Sequence, residues 1–261
     1  MMSDALFPYL PRKKILHALK QSPGNEVASG KLDSPESSAA LAVNTFGYFL
    51  ERPADLPTLP GLERHGWPAI RVSVEQCVRF PWRGGHHPWL DAFVETETHI
   101  IGIESKRYEP FRSKSKVRFS DAYWRDVWGE DMKAFENMRD GLVNGQDTFE
   151  RLDATQLVKH AFGLRTESQR RTKAAVLLYL YAEPECWPSG KPVDQATQTI
   201  HAAEIGRFAR SVAEDEVEFY ACSYRALLAR WKESSVRKVR DHGARVLQVF
   251  RPCRDVSEAP R

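Results

Sequence analysis

Residues 172–181, Thr-Lys-Ala-Ala-Val-Leu-Leu-Tyr-Leu-Tyr, admit few structural outcomes. From Ala174 onward the run carries no charge, so it offers water no polar face either as a helix or as a half-exposed strand. It is also far below the roughly 20 apolar residues that span a bilayer. Pro184 bounds it on the C-terminal side. A strand buried on both faces satisfies these constraints, and such a strand lies at the centre of a sheet with helices packed on either side. A layered α/β domain is therefore expected. The 261 residues supply enough chain to bury its core without disulfides or a structural metal.

The surrounding chain fits that expectation. Three strand-like runs at 69–80, 89–95 and 99–108 precede the central one, the first alternating Ile70, Val72 and Val74 with polar neighbours. Pro81-Trp82-Arg83-Gly84-Gly85-His86-His87-Pro88 and Thr96-Glu97-Thr98 supply the turns of an antiparallel meander. Ser34-Pro35-Glu36-Ser37 opens a helix over 38–51 anchored by Leu41, Phe46, Phe49 and Leu50, and Pro53, Pro57 and Pro60 end it. Helices are predicted at 121–142, 153–162, 201–214 and 226–240, with strands at 217–224 and 244–250. Residues 1–36, rich in Pro, Gly, Ser and Lys, read as an N-terminal helix (13–21) and loop extension to a main domain over 37–261.

The chemistry is concentrated in the meander. On a strand, alternate side chains share a face, so Gly102, Glu104 and Lys106 point one way and Ile101 and Ile103 the other. A short hairpin brings Asp91 beside Glu104 and Lys106. Two carboxylates that close repel unless a cation lies between them. Hard oxygen ligands suit Mg²⁺, and a neighbouring lysine can orient or deprotonate water and offset charge on a phosphate. Gly102 would leave room on that face for a substrate backbone. An E-x-K tripeptide alone is common by chance; the Asp on the preceding strand and the apolar alternation around Glu104 make it specific.

Pro88-Trp89-Leu90-Asp91 followed by Gly102-Ile103-Glu104-Ser105-Lys106 resembles the signature of the PD-(D/E)XK, or restriction-endonuclease-like, nuclease superfamily. The proline stands three residues before the Asp rather than beside it. The resemblance implies an αβββαβ core with a mixed central sheet flanked by helices, which agrees with the element order above. It implies that Asp91 and Glu104 bind Mg²⁺ (Mn²⁺ as substitute), that the Ser105 carbonyl completes the metal shell, and that Lys106 serves the nucleophilic water. Gln156 resembles the glutamine that some members place on the helix after the lysine strand; His160 lies one turn further on. Glu51 or Glu75 would be the additional acidic ligand of some members. The implied activity is hydrolysis of phosphodiester bonds, of DNA before RNA. A catalytically silent nucleic-acid-binding module of the same fold is the alternative.

Other features limit the partners. The net charge is only +3, but Lys106, Arg107, Arg112, Lys114, Lys116 and Arg118 form one basic run. Arg165, Arg170, Arg171 and Lys173 form a second, and Arg230, Lys232, Arg237, Lys238, Arg240 and Arg245 a third. Three such runs point to a polyanionic partner. Cys77, Cys186, Cys222 and Cys253 show no metal-binding spacing and read as reduced residues of a cytoplasmic protein. His86-His87 read as turn residues at the rim of the site. Ser189-Gly190-Lys191 is no phosphate loop, because the upstream Gly is missing and Pro192 blocks the helix. No secretory or membrane-spanning segment is expected. Oligomeric state is open, a homodimer included.

Overall fold

A computed structural model describes residues 5–112 and 117–253. Five strands form one mixed sheet in the spatial order of the chain: β1 (Arg71–Cys77), β2 (Trp89–Glu95), β3 (His99–Lys106), β4 (Ala174–Tyr181) and β5 (Val217–Ser223). The first three pair antiparallel, while β3, β4 and β5 run parallel. The apolar run over 174–181 is thus central, paired on both edges and buried on both faces. This is the restriction-endonuclease-like α/β architecture that the motif implied.

Helices cover both faces. On one lie α1 (Arg12–Gln21), α2 (Ser38–Phe46), α6 (Tyr224–Lys232) and α7 (Arg237–Phe250), packed on Val72, Val94, Ile101, Ile103, Val176 and Leu178. The other face carries α3 (Lys133–Asn144), α4 (Ala154–Arg171) and α5 (Gln195–Ser211), packed on Phe93, Ile100, Leu177 and Tyr179. Ser37 caps α2 by accepting from the Ala40 N–H, and from there to Phe46 nearly every side chain is buried, as befits a helix sandwiched between a sheet and other helices. Phe7, Leu10, Ile15, Leu19 and Leu32, from the segment set apart as an extension, lie in the same core as α2.

Four expectations are corrected. The helix expected at 121–142 forms only as α3, and the one expected at 226–240 is broken between α6 and α7. Residues 244–250 are not a strand but the C-terminal half of α7, whose buried Val239, His242, Gly243, Val246 and Phe250 recur at helical spacing. Nor does Gly102 leave room for a substrate. A Cβ there would lie 2.6 Å from Leu90 Cδ1 and 2.7 Å from Leu164 Cδ1, so core side chains fill the space. Gly163 does the same for α4, where a Cβ would meet Val78 and Pro88 at 2.7 and 2.8 Å. That close approach seats α4 against the sheet beside the end of β3.

Candidate active site

The β2–β3 ladder runs from Glu95↔Ile100 to Ala92↔Ile103 and stops there. Asp91 is next. Its Oδ2 accepts from the Ser105 N–H at 2.7 Å, so a side chain takes over where the ladder ends. Strict alternation also lapses at this point, because Leu90 packs on the α4 side together with Phe93. Asp91 keeps some solvent access while protein encloses it on most sides. Burial first, and the nearby Glu104 carboxylate second, push its carboxyl well above the usual range; Lys106 opposes them.

Glu104 is the most enclosed acid of the group, at 2 % exposure. Its Oε1 accepts from Lys106 Nζ at 2.5 Å, and its Oε2 lies 3.1 Å from His160 Nε2 on α4. The imidazole contact is close enough for charge but off the axis of a good hydrogen bond, and neither ring nitrogen of His160 has an aligned partner among the described residues. Burial alone would raise Glu104; Lys106, and after it His160, outweigh burial and hold its carboxyl below the usual range. In return Glu104 keeps Lys106 strongly protonated against its own desolvation. Ser105 between them is fixed by its hydroxyl, 2.7 Å from the Tyr224 OH.

Glu75 completes the acidic group. The β1–β2 ladder pairs Val74 with Ala92 and Gln76 with Leu90, leaving Glu75 at φ +50°, a left-handed conformation that a non-glycine residue adopts at a cost on the order of 1 kcal/mol. Burial, opposed by Ser22 and reinforced by Glu26 and Glu104, lifts its carboxyl to about 7. Glu75 also raises Asp91. Glu51, the other candidate, is exposed and pairs with Lys14 at 3.0 Å, away from these residues. Glu104 raises both Asp91 and Glu75, and Glu75 raises Asp91, so the three carboxyls lie near one another, with Lys106 as the facing cation. An all-oxygen donor set with excess negative charge fits Mg²⁺ or Mn²⁺ and does not suit a soft ion.

Beside this group lies an open depression of about 730 Å³, lined by His87, Trp89, Arg118, Gln156, Lys159 and His160. Gln156 faces it from the first turn of α4, where Asp153 caps the helix by accepting from the Gln156 N–H. The residue that reaches Glu104 from α4 is His160. The sequence signal was its i, i+4 spacing from Gln156, which put both on one face.

The basic runs divide. Lys114 and Lys116 lie outside the described residues. Arg107 is buried, donating to the Pro35 and Phe250 carbonyls, and Arg112 pairs with Glu36. In the second run Arg165 pairs with Glu216 at 3.0 Å, Arg171 with Glu95 at 2.7 Å, and Lys173 with Glu95 at 2.8 Å. Those charges hold α4 to the sheet. Arg118 and Lys159, by contrast, face the depression next to the acidic group.

Comparison with known proteins gives one family. Residues 5–245 match the family described as restriction endonuclease associating with ARP. No curated protein and no solved structure matches the chain. Among the described residues no helix is long and apolar enough to cross a membrane.

Proposed function

Because this chain belongs to the family of restriction endonucleases associating with ARP, a restriction-endonuclease-like nuclease family, we propose that it is a Mg²⁺-dependent deoxyribonuclease acting at Asp91, Glu104 and Lys106. The observation that carries this reading is the fork between β2 and β3, where Asp91 accepts from the Ser105 N–H across the end of the ladder and Glu104 accepts from Lys106 along β3. Asp91, Glu104 and the Ser105 carbonyl would hold the ion, with Glu75 as the additional carboxylate. A bound Mg²⁺ would supply Lewis acidity at a phosphoryl oxygen and lower the pKa of water. Lys106, kept cationic by Glu104, donates towards the charge that builds on the phosphate and orients the attacking water. Gln156, Arg118 and Lys159 would receive the backbone of the substrate in the adjoining depression. The family's description also names an association with ARP, and that association belongs to the proposal; co-purification tests it.

The experiment is cleavage of circular, linear and single-stranded DNA and of RNA with Mg²⁺, by the native chain and three variants. Asp91→Ala and Glu104→Ala lose cleavage and Mg²⁺ binding together. Lys106→Ala loses about 10²–10⁴-fold in turnover while Mg²⁺ binding persists. Near-native cleavage by Lys106→Ala would sink the assignment. DNA binding without cleavage under every divalent ion would favour the silent binding module.

A further inference from the structure

A second group of ligating side chains lies far from the candidate nuclease centre. His65 comes from the loop before β1, His99 opens β3 and Glu218 lies on β5; one ligand atom from each falls within 4.8 Å of the others. His99 and Glu104 lie five steps apart along β3, about 16 Å at the rise of a strand, and the odd spacing puts the two on opposite faces.

The surroundings are those of a ligand set. His99 Nδ1 is 2.7 Å from the Thr98 hydroxyl; with Nδ1–H donating to it, Nε2 keeps its lone pair for an ion. Glu218 Oε2 accepts from the Tyr220 OH at 3.0 Å and lies 3.3 Å from His65 Nε2. That gap already equals the roughly 3.3 Å edge of a tetrahedron built on Zn–N bonds of about 2.0–2.1 Å. His65 is 6 % exposed, and its Nε2 faces Glu218. The two imidazoles meet edge to face with centroids 4.6 Å apart.

We propose that His65, His99 and Glu218 form a second metal site, of the Zn²⁺ class, at the strand end opposite the carboxylate centre. Two imidazoles and one carboxylate are a borderline donor set that selects Zn²⁺ over Mg²⁺ and leaves a fourth position for water. The ion would tie the loop before β1 to β3 and β5, three segments distant in sequence, and so stabilise the folded chain that alone assembles the site.

The test is made on the full chain carrying Glu75→Gln, Asp91→Asn and Glu104→Gln, so that every carboxylate proposed for the first site is replaced. After treatment with chelator, Zn²⁺ is titrated calorimetrically and Co²⁺ is read by the visible absorption of a four-coordinate ion. One equivalent should bind, with affinity falling at least about tenfold on adding Glu218→Gln or His99→Gln. Zn²⁺ should raise the unfolding temperature of the parent and not of those variants. Glu218 is half-exposed, so Glu218→Gln tests the site even where a His99 substitution perturbs folding. Absence of saturable binding by the folded parent overturns the proposal, as does binding that Glu218→Gln and His99→Gln leave unchanged.

Discussion

Glu104 is held between a cation from its own strand and a ring from a helix more than fifty residues later in the chain. Lys106 is two residues away and follows automatically from strand periodicity. His160 arrives only because α4 docks where it does, and in the proposed reaction it would act through Glu104. His160→Ala should lower Mg²⁺ affinity and cleavage by roughly 10–100-fold, the usual effect of removing a residue that orients a ligand. DNA affinity measured with Ca²⁺ should stay near native. His160→Asn, whose amide keeps a donor on that face, should recover part of the loss; equal defects in both variants, with native Mg²⁺ affinity, would mean that His160 only packs.

At the scale of the elements, α7 is joined to α2 and the N-terminal segment through one imidazole. His242 is buried, with Nε2 3.0 Å from the Thr45 carbonyl and Nδ1 3.0 Å from the Tyr9 OH. Nε2–H therefore donates to the carbonyl and Nδ1 accepts from the phenol, an arrangement that requires the neutral ring. The ring stacks on Tyr48 at 4.5 Å and on Trp231 at 5.7 Å. Burial depresses its pKa to about 4. Between that value and about 6.5, the ordinary pKa of histidine, the unfolded chain binds more protons than the folded one. Stability from this group is thus complete above about pH 6.5 and is lost as the pH falls towards 4, by on the order of 3 kcal/mol. Urea unfolding across that range should show the slope in the native chain and lose it in His242→Phe. An equal acid slope in both would assign it to the carboxylates instead.

For the whole molecule, the arrangement of charge matters more than its sum. The second basic run is largely consumed by Glu95, Glu167 and Glu216, so it serves cohesion between α4 and the sheet. Arg118 and Lys159 are placed to meet a polyanion beside the acidic centre. Arg118→Ala and Lys159→Ala should each weaken DNA binding across all sequences and reduce the slope of log K against log salt by about 1. Arg171→Ala should leave that slope unchanged and lower the unfolding temperature. A steep loss of DNA affinity in Arg171→Ala would move the nucleic-acid surface to the far end of α4.

The amino-acid sequence by itself determined the five strands and the antiparallel pairing of the first three, because those rest on short-range patterns. An eight-residue apolar run has to be central, a period of two places Glu104 and Lys106 on one face, and the Thr96-Glu97-Thr98 turn brings Asp91 alongside them. Residues 244–250 look like a strand in isolation because seven residues are too short a window; the period that makes α7 a helix appears only from Val239 onward. Tertiary structure alone decided what fills Gly102, where Glu75 turns, and which residue of α4 faces Glu104. Each of these depends on the depth and phase at which a distant element docks, and that is set by contacts such as Gly163 against Val78 and Pro88. The pairing of the basic runs is of the same kind, since Glu95 and Glu216 reach α4 from far along the chain. Local periodicity is written residue by residue, whereas docking is a property of surfaces that exist only once the elements have formed.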